Sequence, residues 1–140
     1  MRLLKLSLLS ILIVLSTFLV GCESSLSGKI DVTNKKLESG ETTNMYVTVT
    51  YNKAFLGGKP QTIHMQFLSG EGLEVKKDSL VITEDKIEVL DGATTKFYNI
   101  GAKNIKANQI LDSITIILTS DDNKIFKMIS DPIVVTPKRS

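Results

Sequence analysis

Residues Asn44–Tyr51 read NMYVTVTY, and their alternation decides the fold class. Met45, Val47, Val49 and Tyr51 share one face of an extended chain, with Thr48 and Thr50 on the other, because successive strand side chains point to opposite sides. The same period of two recurs in both directions. It is present upstream in KIDVTN (29–34), with Ile30 and Val32 aligned. Downstream, TIHMQF (62–67) aligns Ile63, Met65 and Phe67 against Thr62, His64 and Gln66. LEVKK (73–77), SLVITED (79–85), KIEVLDG (86–92) and TTKFYNI (94–100) are short runs, most of them ended by charge or glycine. DSITIILTS (112–120) aligns Ile114, Ile116 and Leu118, DDNK makes a turn, and IFKMIS and PIVV complete the series.

Strands at this spacing, rich in β-branched residues and separated by turn formers, predict an all-β chain. The expectation is an antiparallel β-sandwich of roughly seven to nine strands over residues 29–136. Only AKNIKANQILD (102–112) has room for a helical turn, and it lacks an apolar stripe.

The 140 residues suffice for one domain with a core. The first 21 have a different character. MRLLK carries Arg2 and Lys5 without an acid, and Leu6–Val20 has no charge at all. A basic start, an apolar segment and then Gly21 describe an export signal helix that is removed. Fifteen apolar residues fall short of the roughly 20 that span a bilayer. Loss of Arg2 and Lys5 takes the seventeen basic residues to fifteen, equal to the fifteen acidic ones. A neutral mature chain lacks the basic face that nucleic-acid binding needs, so no nucleic-acid partner is expected.

Leu19-Val20-Gly21-Cys22 resembles the lipobox of prokaryotic lipoproteins: aliphatic, tolerant, small, then cysteine. The resemblance implies cleavage between Gly21 and Cys22 and a diacylglycerol on the Cys22 sulfur. A thiol suits that bond because a usable fraction ionises near neutral pH. Two acyl chains give the stable attachment that one does not. Cys22 is the only cysteine, so no disulfide can form within the chain. The implied location is exported and lipid-anchored to the cell membrane or envelope. Residues 22–28 would then be the lipidated cysteine and a short polar tether. The second resemblance is carried by LESGETTNMYVTVTYN and the segment from TTKFYNI to DPIVV. Both are similar to immunoglobulin-like modules of prokaryotic surfaces, of the CARDB and S-layer-associated type. This implies a fold and no mechanism.

Catalytic constellations are scarce. His64 is the only histidine, and the alternation sends it to the face opposite Met65, so the two are not expected to share a metal. No G-x-S-x-G elbow presents a serine, and no D-x-D-x-D-G loop offers a calcium site. The acid pairs Glu84-Asp85 and Asp121-Asp122 are expected to point to opposite faces or to be solvated in a turn. Gly57-Gly58-Lys59 is too short for a phosphate loop. Phe55 and Leu56, beside it, make NKAFLGGKP a candidate interaction loop. No catalytic residue, metal site or cofactor is expected.

The basic tail 137–140 points away from the anchored end if the strand number is odd, and back towards it if even. The expectation is therefore a non-enzymatic envelope lipoprotein that binds another envelope protein or a glycan. The alternative is an assembly accessory that pairs strands at a sheet edge. A small hydrolase or metal-dependent enzyme ranks third.

Overall fold

A computed structural model describes residues 25–52 and 60–139. The cleavage pair Gly21 and Cys22, and the loop residues Phe55 and Leu56, lie outside these described residues. The described residues form twelve strands: β1 (Ser25–Val32), β2 (Lys36–Glu38), β3 (Thr42–Asn52), β4 (Gln61–Leu68), β5 (Leu73–Lys77), β6 (Leu80–Val81), β7 (Glu84–Val89), β8 (Gly92–Ala102), β9 (Ile110–Asp112), β10 (Thr115–Ser120), β11 (Ile125–Ile129) and β12 (Ile133–Thr136). Nine have four residues or more, matching the expected count, and the other three are short additions of two or three residues. The 102–112 segment ends in β9 rather than in a helical turn.

Two sheets form the sandwich, in the orders β1-β3-β8-β5-β6 and β11-β10-β4-β7. A third, small sheet, β2-β12-β9, caps one end; its β2–β12 pair is parallel, whereas every other strand pair among the described residues is antiparallel. β3 and β8 pair over ten residues, from Thr42–Gly101 to Tyr51–Gly92, and form the spine of the larger sheet.

Alternation built the core as expected. Met45, Val47, Val49 and Tyr51 of β3 are buried against Ile63, Met65 and Phe67 of β4 and against Ile114, Ile116 and Leu118. Tyr98 meets Phe67 edge-on at 5.0 Å between ring centroids, an arrangement that aromatic quadrupoles favour.

Two boundaries differ from the sequence reading. Ser25–Gly28, expected in the tether, are the first half of β1 and pair with Asn52–Val49. Their inward positions are Leu26 and Gly28, and a Cβ on Gly28 would lie 2.8 Å from the Thr48 carbonyl oxygen and 3.0 Å from Met128 Sδ. Only glycine lets β1 close over β11 at that point. SLVITED is not one strand: Leu80–Val81 form β6, and Glu84 and Asp85 already belong to β7. Asp78 and Ser79 both have positive φ, at 52° and 67°, as a two-residue hairpin turn requires, and the β5–β6 hairpin is correspondingly brief.

Ser25 lies beside Asn52 at one end of the sandwich. At the other end the Arg139 backbone N–H donates to Glu38 Oε1. The chain therefore enters and leaves its described part at opposite ends.

Candidate interaction surface

The outer face of the larger sheet is built from the positions that alternate with the core. Across β1, β3 and β8 the rows are Asp31–Tyr46–Phe97 and Lys29–Thr48–Thr95. Tyr46 and Phe97 sit directly opposite one another, with centroids 5.4 Å apart and rings tilted by 55°. Although in contact, they stay 40 % and 47 % exposed, so a patch of aromatic surface faces solvent. Hydrogen-bonding groups frame it. Thr48 Oγ1 and Thr95 Oγ1 are 3.0 Å apart, and Asn99 Nδ2 donates to Asn44 Oδ1 at 3.2 Å. Lys29 pairs with Asp31 at 3.7 Å beside it. Flat aromatic surface with a polar surround is the composition of interface anchors.

Neither aromatic was singled out by sequence reasoning, although the signal was present. The alternation of NMYVTVTY puts Tyr46 with the threonines, and that of TTKFYNI puts Phe97 with Thr95. What the sequence does not carry is the register that brings them together.

The residues considered for chemistry are dispersed or committed. His64 is exposed on the outer face of the smaller sheet, and Met65 is buried on the inner face. His64 Nε2 lies 3.4 Å from Asp121 Oδ1 in the neighbouring turn. Ser120, the nearby hydroxyl, donates to Asp122 instead. Among the described residues no group of three or more His, Cys, Asp or Glu side chains is placed to hold a metal ion.

Three carboxylates serve the framework. Glu84 faces out, while Asp85 faces in and accepts from Tyr98 Oη at 2.7 Å, Lys96 Nζ at 2.9 Å and Lys77 Nζ at 3.2 Å. Burial pushes the Asp85 carboxyl up, but hydrogen bonds from Tyr98, Lys96, the Lys86 backbone and Lys77 outweigh it. The carboxyl is held well below its usual range. Burial, reinforced by Asp85, pushes the Tyr98 hydroxyl up.

Asp122 is exposed in the turn, as expected, and also accepts from Ser120 and from Tyr51 Oη, the latter at 2.8 Å. The Ser120 bond leads in lowering its carboxyl, with burial opposing and Tyr51 assisting. The Tyr51 ring is buried in β3, and its hydroxyl needs an acceptor. Asp112 accepts the backbone N–H groups of Gly70, Gly72 and Leu73 at 2.9, 3.1 and 3.0 Å, organising the β4–β5 loop.

No protein-family model matches the chain, and neither does any curated protein sequence. Solved structures do resemble it. Native alpha-2-macroglobulin from Escherichia coli, from domain MG7 to its C-terminus, aligns with a TM-score of 0.56 and 18 % identity. The alignment covers 83 % of this chain and 17 % of the macroglobulin chain. A CARDB domain from Pyrococcus furiosus, solved with di-metal ions, aligns at 0.49 and 10 % identity over 84 % and 96 % of the two chains. A lipoprotein from Bacteroides thetaiotaomicron aligns at 0.45 and 16 % identity over 83 % and 84 %. The macroglobulin match shows a shared β-sandwich fold; this chain spans about a sixth of the length of that solved chain.

Proposed function

We propose that the chain is a non-catalytic binding module of a prokaryotic cell envelope, attached to the membrane by a lipid on Cys22. Its partner, an envelope protein or glycan, is engaged through the outer face of the larger sheet. The observation that carries the reading is the exposed Tyr46–Phe97 pair, set among threonine and asparagine side chains. A buried aromatic pair would explain itself as packing. An exposed one on a regular sheet is an anchor for stacking or for a desolvated contact. Only two residues separate Cys22 from the first residue of β1. Fully extended, that gap reaches roughly 10 Å, so the lipid would hold the Ser25 end of the sandwich close to the bilayer.

Edge-strand pairing fits less well. β1, β11 and β7, the three edge strands of the main sheets longer than two residues, carry Lys29, Lys127 and Lys86. A lysine on an edge is a device against strand addition.

The test has two arms. Cys22→Ser in the full chain should move the protein from the membrane to the soluble fraction; fractionation like wild type rejects the anchor. Phe97→Ala, anchored as wild type, should lose most of the envelope material that co-purifies with the native chain from membranes. Retention of the same material rejects this face.

A further inference from the structure

The outer face of the smaller sheet shows a different pattern. Lys127, Ile117, Gln66 and Glu84 form one row across β11, β10, β4 and β7. Ile125, Thr119, His64 and Lys86 form the next. Lys127 and Glu84 therefore occupy the two opposite edges of one row, and no ion pair among the described residues includes either. Apolar side chains stand beside them in the open. Ile125 is 71 % exposed and Ile129 60 %. A groove of about 630 Å³ runs along β4, with Ile117 and Thr119 on one side and Glu84 and Lys86 on the other.

We propose that this face pairs with the same face of a second copy of the chain, about a two-fold axis running along the strands. Such an axis exchanges the two edges of the sheet and leaves each row opposite itself. Lys127 of each copy then meets Glu84 of the other, giving two identical ion pairs from one contact, as an isologous interface requires. Ile117 lies over Gln66 of the second copy, at the groove, and Ile125 lies along the aliphatic stem of Lys86. The stacking is that of aligned sheets, the arrangement in which twisted sheets pack.

Charge selects this axis over its competitor. A two-fold running across the strands would keep each edge over itself, setting Lys127 on Lys127 and Glu84 on Glu84. Like charges placed face to face exclude that mode. Strand spacing and rise put the face at roughly 400 Å² per copy, below the size of a stable specific interface and in the range of weak, transient ones. The dimer is correspondingly weak at low concentration. The chosen axis also leaves both Ser25 ends on the same side, as two chains anchored in one membrane need. The pairing itself does not depend on the anchor.

The test uses two differently tagged copies of the full chain, co-expressed and treated with a carbodiimide, which joins amines to carboxylates in contact. The cross-link is sought in whichever fraction holds the chain, so a failed anchor does not obscure the result. The expected product contains both tags, joined between Lys127 and Glu84. Within one chain these residues lie three strands apart, roughly 14 Å, beyond zero-length reach. K127E and E84K should each reduce the product at least fivefold, and the K127E/E84K double variant should restore it. Absence of the mixed product, a K127E variant that cross-links like wild type, a double variant that stays unlinked, or Lys127 joined to a different protein overturns the proposal.

Discussion

The Tyr98 hydroxyl donates to Asp85 Oδ2 across 2.7 Å, and this bond ties the larger sheet to the edge of the smaller one. Lys96 and Lys77, both from the larger sheet, reach the same oxygen, so a single carboxylate closes the open side of the sandwich. Pairing with two cations and a phenol offsets the cost of bringing a charge inside.

Tyr98→Phe keeps the ring against Phe67 and removes one charge-assisted hydrogen bond. It should lower the unfolding free energy by about 1–2 kcal/mol, as read by urea denaturation. Asp85→Asn leaves two lysines without their anion and should cost more than Tyr98→Phe. Equal losses in the two variants would show that the lysines contribute nothing.

The same cluster sets a pH dependence. The Asp85 carboxyl is lower in the folded chain than in the unfolded one. Its contribution is therefore complete above the unfolded value of about 3.9 and is lost as pH falls through the folded value. The stability gap between wild type and Asp85→Asn should be constant from about pH 6 to 8 and shrink below about pH 4. Tyr98 is raised, so its contribution holds below an unfolded value of about 10 and fades as pH climbs above it. Melting temperatures across the pH range check both limbs.

Gly28→Ala tests whether residues 25–28 belong to the domain. The new methyl group would press on the Thr48 carbonyl and Met128, and overpacking of this kind costs about 1–3 kcal/mol. Ser27→Ala, an exposed position in the same strand, should change stability by less than about 0.5 kcal/mol. If both are neutral in thermal denaturation, the first half of β1 does not contribute to the fold.

Asp112→Ala should release the β4–β5 loop. Four backbone donors, the three of the loop and that of Ser113, lose their acceptor, a loss of about 2–4 kcal/mol at ordinary hydrogen-bond values. Amide exchange at Gly70, Gly72 and Leu73 should accelerate well before that of the β3–β8 spine. Uniform acceleration throughout the domain would mean that the loop does not open separately.

Local pattern was sufficient for much of the molecule. The alternation in NMYVTVTY, TIHMQF and DSITIILTS placed the core residues, because a period of two leaves a strand no other way to bury its apolar side chains. It also separated His64 from Met65. The β5–β6 hairpin and the short strands β2 and β9 were harder to read. Two or three residues carry no measurable period, and their strand form depends on what the neighbouring backbone offers.

By itself, the sequence determined the fold class, the buried faces of β3, β4 and β10 and the neutral character of the chain beyond Cys22. These are properties of composition and spacing along one backbone. Tertiary structure alone decided that Tyr46 lies beside Phe97, that Asp85 gathers Tyr98, Lys96 and Lys77, and that Lys127 and Glu84 occupy the two ends of one row. Each depends on strand order and register. These are set by the joint packing of two sheets, and no local segment encodes them.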